Sequence, residues 1–297
     1  MALALYYAFR EPRFEGRTLA AWLDSMDSAD PDHPSAPIRD VPARQALASA
    51  PEEALPALER AIEVSVAHLE HSQNVFFRLS ALWAQLGKLL PDRLGLAPPQ
   101  PDDVRDKVAG NRLFWAVGLI MDLSPDAQTG LSRLERLAGS IPADRLIAAS
   151  SAFRTLRDPD GSLVSNLVAR LRLPPRNGDG RAVWLACLRH LGSPLATNAD
   201  VVRALTRDPD PRVRFQALQS LGSLDSRDDT TSFLQAAATT PEDRKAVMSA
   251  FIAMGSRARP AEAFIRETLQ DPDWLTSFFA QVALKGITNA ATNAARP

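Results

Sequence analysis

The side chains best suited to acid–base work or metal ligation near neutral pH are four histidines, His33, His68, His71 and His190. His68 and His71 stand three apart, which on a helix puts both on one face while Glu70 points elsewhere. Such a pair could contribute to a metal site, but a closed site needs three or four ligands, so surface or inter-helix histidines are the expected reading. His190 follows Cys187 at the same spacing, superficially a thiol–imidazole pair. Cys187 takes a small-residue position of a repeating pattern, however, and is expected to be buried packing. Carboxylates fall mainly in turns, at Asp102–Asp103, Asp208, Asp210, Asp228–Asp229 and Asp271, where helix capping explains them better than catalysis. No zinc-protease, phosphate-loop, dinucleotide or nucleophile-elbow motif is present. The sequence therefore assigns no catalytic, cofactor-binding or metal-binding residue and no cofactor, and a non-enzyme is expected.

The elements that carry these residues are expected to be helices. Ala and Leu dominate, and aromatic residues are only 6%, a balance that favours helix over sheet. The 34 Lys+Arg offset 35 Asp+Glu to leave a formal charge of -1 over 297 residues, so no basic excess exists to neutralise a phosphate backbone. Cys187 is the single cysteine and excludes an intrachain disulfide. Met1–Phe9 is apolar but short and lacks a basic start, so it is neither a complete signal peptide nor a membrane span. It reads as a leader or first-helix turn, or as the remnant of a longer export or anchor segment.

Residues 205–222, LTRDPDPRVRFQALQSLG, hold the most informative pattern. One helix ends near Arg207, Asp208-Pro209-Asp210-Pro211 turns the chain, and a second helix starts with Pro211 in its first turn. Val213, Ala217, Leu218 and Leu221 share a face of that helix, and Gly222 reads as its stop. The small-then-large apolar pair recurs as Ala46-Leu47, Ala81-Leu82, Ala116-Val117, Ala152-Phe153, Cys187-Leu188, Ala217-Leu218, Ala250-Phe251 and Ala283-Leu284, at steps of 30 to 36 residues. Periods in this range belong to helical solenoids. Similar turns stand at Asp158-Pro159-Asp160 and Asp271-Pro272-Asp273, and Arg214 is placed to meet aspartates of its own or the adjacent unit.

These residues resemble the HEAT repeat family, especially the bacterial HEAT-like repeats related to those of phycobiliprotein lyases. The match is strongest at Leu205–Gly222 and otherwise rests on helix spacing and Ala-Leu pairing, covering roughly 40–290. The segment Glu11–Leu23 resembles the short opening segment of many HEAT-repeat proteins of environmental bacteria, often preceded by a hydrophobic export or anchor segment. Leu19, Trp22 and Leu23 there form one apolar face of a short helix, expected to cap the first unit.

The resemblance implies an all-α fold, a right-handed alpha-alpha superhelix (an armadillo-like alpha-solenoid) of about eight HEAT-like helix pairs. The expected organisation is a leader and capping helix over 1–39, the solenoid over 40–290 with its regular part at 140–290, and a flexible tail at 291–297. Separate helices are expected at about 52–70 and 73–90, the second with Val75, Leu79, Leu82, Leu86 and Leu89 as a packed stripe. The polar loop 27–39 and the insertions 91–101 and 174–180 interrupt the array.

The implied function is a non-catalytic scaffold that binds a protein or peptide along one solenoid face. Two alternatives stand beside it. The family contains DNA base-processing enzymes, for which Trp83, Trp115, Trp184 and Trp274 would be candidate aromatics, but the charge balance argues against a nucleic-acid partner. A structural module of an envelope-anchored protein is the other, with membrane contact only through an N-terminal anchor. Both cytoplasmic and periplasmic or envelope-associated locations remain compatible.

Overall fold

The computed structural model describes residues 12–26, 42–86, 103–156, 158, 161–173, 178–191 and 199–294. Expectations that fall on His33, on the loop 27–39, on the insertion 91–101 or on the leader 1–9 lie outside these residues. The fold is all-α, a helical repeat, in two compact units, Met1–Arg157 and Asp158–Pro297.

The first unit opens with a two-stranded hairpin, β1 (Arg13–Phe14) and β2 (Arg17–Thr18). Its turn places Glu15 and Gly16 at φ 49° and 79°, the left-handed pair a tight hairpin needs, and only Gly16 adopts it without cost. Helix α1 (Leu19–Met26) follows, with Thr18 Oγ1 accepting the Ala21 N–H at 3.2 Å. Leu19, Trp22, Leu23 and Met26 are buried, as the apolar spacing requires. The Trp22 indole donates to the Phe14 carbonyl at 2.9 Å and Arg17 lies over its ring, which ties the hairpin to the helix. α1 packs on α2 (Pro42–Ala48), α3 (Pro51–Leu86) and α4 (Asp103–Leu123).

α3 replaces the two helices expected at 52–70 and 73–90. Glu70-His71-Ser72-Gln73 contains neither glycine nor proline, so nothing ends the hydrogen-bond ladder there. Val75 and Leu79, expected in a packed stripe, are 40% and 48% exposed. α4 runs along α3, and α5 (Ala127–Ala138), α6 (Ala143–Ala149) and the 3₁₀ segment Ser150–Thr155 complete the unit. Its core holds Leu47, Leu58, Ile62, Ile120, Leu131 and Phe153, none more than 1% exposed. The pairs Ala46-Leu47, Ala116-Val117 and Ala152-Phe153 are all buried there. Of Ala81-Leu82 only the backbone is described, and it is helical.

The second unit is a ladder of helix pairs in two rows. The first row holds α7 (Ser162–Arg172), α9 (Ala199–Leu205), α11 (Thr230–Ala237) and the 3₁₀ segment Gly255–Ala261 with α13 (Glu262–Thr268). The second row holds α8 (Gly178–Leu191), α10 (Pro211–Leu224), α12 (Pro241–Met254) and α14 (Trp274–Ala294), each packed on the next.

The buried positions set the true register. Val213, Gln216, Ala217, Leu218, Ser220, Leu221 and Leu224 of α10 recur thirty residues on as Asp243, Ala246, Val247, Met248, Ala250, Phe251 and Met254 of α12. The counterpart of Ala217-Leu218 is therefore Val247-Met248, one turn before the pair Ala250-Phe251 that small–large matching selects. From α12 to α14 the step is 33, taking Asp243, Val247 and Ala250 to the buried Thr276, Ala280 and Ala283. Gly222 does not stop its helix, since α10 runs to Leu224; it is the point where α10 touches α12. Gly255 is a stop, at φ 56°. α14 continues to Ala294, into the stretch 291–297 expected as a flexible tail, because its alanines sustain the helix.

Candidate functional site

In the first unit His68 Nε2 lies 3.7 Å from Asp106 Oδ1, and Ser72 Oγ donates to Asp106 Oδ2 at 2.9 Å. His71, three residues on, is exposed and takes no part in this group. A shallow groove between α3 and α4 has Val64, Ser65 and Ala109 along it, with His68, Arg105 and Arg112 at its edge. Arg112 forks onto Asp24 of α1 at 2.6 and 2.7 Å.

In the second unit Cys187 is 1% exposed, and burial pushes its thiol well above the ordinary value of 9.0. His190 is half-buried, with Nε2 3.4 Å from Arg189 Nη2, so it faces a guanidinium. Trp184 is buried with Arg170 over its ring, Trp115 packs edge-on against Phe114, and Trp274 is 74% exposed. The Trp83 side chain lies outside the described residues. Among the described residues no three His, Cys, Asp or Glu side chains gather as a metal site, and no helix is long and apolar enough to cross a membrane.

The arginines and aspartates of the turns form the struts of the ladder. Asp208 and Asp271 each stand three residues before a second-row helix and accept the backbone N–H of Asp210 and Asp273 at 3.0 Å. Arg181 of the preceding helix reaches Asp208 at 2.8 Å, and Arg244 reaches Asp271 at 2.9 Å. The corresponding position before α12 is Ala238. Arg214, the counterpart of Arg244, instead donates to the carbonyls of Asp208 and Pro209 at 3.0 and 3.1 Å, with Asp243 Oδ1 3.9 Å away. The expected Arg214–aspartate contact is therefore mainly one to turn carbonyls.

Asp225 is the hub of the first row. Its carboxylate is 1% exposed and accepts from Arg203 Nε at 2.7 Å and from Arg227 Nε and Nη2 at 3.0 and 3.1 Å. Burial pushes its pKa up, but the hydrogen bonds from Arg227 and Arg203 outweigh that and hold it below 3.8. Arg203 also grips Asp229 through both terminal nitrogens, at 2.8 and 2.5 Å, and lies over the Phe233 ring. Asp229 thus spends its side chain on Arg203 and makes no side-chain cap on α11, contrary to the capping role read for it. Arg257 donates to the carbonyls of Gly222 and Asp225, satisfying the last turn of α10 from the next repeat.

What the packing leaves open is one face of the second row. Arg189 Nη1 donates to Gln219 Oε1, and Gln219 Nε2 donates to Ser249 Oγ at 3.1 Å, a side-chain chain that crosses α8, α10 and α12. All three are half-buried, as are Phe215 and Lys245 one turn earlier on α10 and α12. The thirty-residue register puts 219 and 249 in line, and likewise 215 and 245, while Arg189 joins the row from α8 through its hydrogen bond to Gln219. Reading the sequence by small–large pairs missed this row, because its members differ in chemistry and only their register reveals them.

Residues 164–255 match the family model described as HEAT repeats, which spans most of α7 through α12. No curated protein and no solved structure shows detectable similarity to the chain.

Proposed function

We propose that this chain, built of HEAT repeats over residues 164–255, is a non-catalytic interaction module that holds a protein or peptide partner along the open face of the second helix row. The observation that carries the reading is the Arg189–Gln219–Ser249 row with Phe215 and Lys245 beside it. Hydrogen-bonding groups repeated once per helix suit a chain laid across the helices, and Phe215 adds an apolar contact. Rigid struts behind the face keep it preorganised, so little ordering cost falls on binding. Arg181, Arg203, Arg214, Arg227, Arg244 and Arg257 are all engaged in intramolecular bonds, which supports a protein or peptide partner over a phosphate backbone.

The test is affinity capture from host extracts with the wild-type chain beside a Phe215→Ala, Gln219→Glu variant of matched circular dichroism and Tm. Proteins retained by the wild type at moderate salt and lost with the variant support the reading. Retention of nucleic acid alone, lost as salt rises, or protein capture indifferent to the variant, overturns it.

A further inference from the structure

The hydrogen-bond chain on the open face has a fixed direction. A guanidinium carries donors only, so Gln219 must turn Oε1 to Arg189 and its amide N–H groups to Ser249. Ser249 Oγ therefore accepts, and its own O–H has no acceptor among the described residues. Lys245 stands four residues earlier on α12, which sets its ammonium on the same face one turn away. Its Nζ lies 3.1 Å from Asp273 Oδ2, an oxygen that the Thr276 N–H and Oγ1 also reach, at 3.2 and 2.6 Å. Asp273 is thus held without Lys245, and the ammonium keeps N–H donors to spare. A hydroxyl donor and a cationic donor stand side by side. Phe215 on α10 and Phe278 on α14 take the position of Lys245 in the two flanking helices, by the steps of 30 and 33 residues. Phe278 is 49% exposed and Phe215 half-buried.

Resting on the reading of the open face as a peptide-binding surface, we infer that Lys245 and Ser249 together read a side-chain carboxylate of the partner. The partner segment runs across α10, α12 and α14 as a polyproline-type helix, with Asp or Glu at its centre and an apolar residue three positions to either side. Charge complementarity selects the central group. Lys245 calls for an anion and the Ser249 O–H for an acceptor, and a carboxylate supplies both in one planar group. Glu242, exposed and three residues before Lys245, lies on the side away from Ser249, so it repels the carboxylate towards the hydroxyl. Spacing selects the conformation. Packed helices lie ~8–10 Å apart, and a polyproline-type helix repeats every three residues, or ~9.3 Å. One turn of the partner therefore matches one helix-to-helix step, and its repeated side chains all point the same way. A pleated strand fails this test, because residues three apart point to opposite faces. The apolar residues then fall on Phe215 and Phe278, and the carboxylate between them on Lys245 and Ser249.

The experiment is fluorescence anisotropy of the full chain with a labelled, end-blocked peptide Leu-Pro-Pro-Glu-Pro-Pro-Leu, beside the same peptide with Gln in place of Glu. Proline holds the probe in the three-residue turn, and the pattern reads alike in both chain directions. The expected result is binding by the wild type about tenfold tighter for the Glu peptide than for the Gln peptide. Lys245→Met is expected to erase that preference. Ser249→Ala is expected to weaken the Glu peptide about tenfold, and Ser249→Thr, which keeps the hydroxyl, to retain it, all with unchanged circular dichroism. Equal binding of the two peptides, a preference that survives Lys245→Met, or like behaviour of Ser249→Ala and Ser249→Thr overturns the inference. Absence of binding by both peptides overturns it too. The open-face reading itself falls only if protein capture is also indifferent to the Phe215→Ala, Gln219→Glu variant.

Discussion

Gly222 of α10 lies so close to Ala250 of α12 that a Cβ on residue 222 would stand 2.2 Å from the Ala250 carbonyl oxygen. The obstacle is helix backbone, which cannot swing aside as a side chain can. The contact fixes how closely two second-row helices approach, and with it the thirty-residue register of the open face.

Gly222→Ala is accordingly expected to destabilise the fold by about 3 kcal/mol, although alanine is the better helix former by about 1 kcal/mol. Chemical denaturation reads the result. A neutral or stabilising outcome would show that the two helices separate at little cost.

Asp225 is expected to set much of the acid sensitivity. Its folded pKa lies below its ordinary value of 3.8, so the stability it contributes is fully present above about 3.8 and is lost as pH falls through the folded value. Asp225→Asn removes that proton linkage while leaving Arg203 and Arg227 beside a neutral amide, at a cost of about 3 kcal/mol at pH 7. Stability measured from pH 7 to pH 2 is expected to fall less steeply for the variant than for the wild type. Parallel curves would mean that Asp225 is no hub.

Ala238 occupies the strut position that Asp208 and Asp271 fill elsewhere. Ala238→Asp offers Arg214 the carboxylate that Arg181 and Arg244 already have, and is expected to stabilise by about 0.5 kcal/mol. The gain should shrink in 1 M salt. Thermal melts at low and high salt check both statements.

Cys187, buried and with its thiol raised, is expected to resist a thiol reagent at neutral pH until the second unit opens. Labelling should follow the unfolding rate as denaturant is added, and rapid labelling in its absence would contradict the packing described. Cys187→Ala should cost no more than about 1 kcal/mol, since the position needs only a small apolar group.

By itself the sequence determined the fold class and the start of α10 at Pro211. Alanine and leucine at helical spacing, and Asp-Pro-Asp turns that stop one helix and cap the next, are local signals that need no partner to be read. The helix Leu19–Met26 was legible for the same reason, in Leu19, Trp22 and Leu23. Only the tertiary structure decided the register between helices. Ala217-Leu218 and Ala250-Phe251 look alike as dipeptides, but burial depends on which neighbour covers each residue, and that pairs Ala217 with Val247. The same holds for Gly222, a stop by its residue type and a helix crossing by its contacts, and for Asp229, whose carboxylate turns to Arg203 instead of its own helix. The open row of Arg189, Gln219 and Ser249 belongs to this second kind. It is defined by what packing leaves uncovered, a property of neighbours brought together from distant parts of the chain.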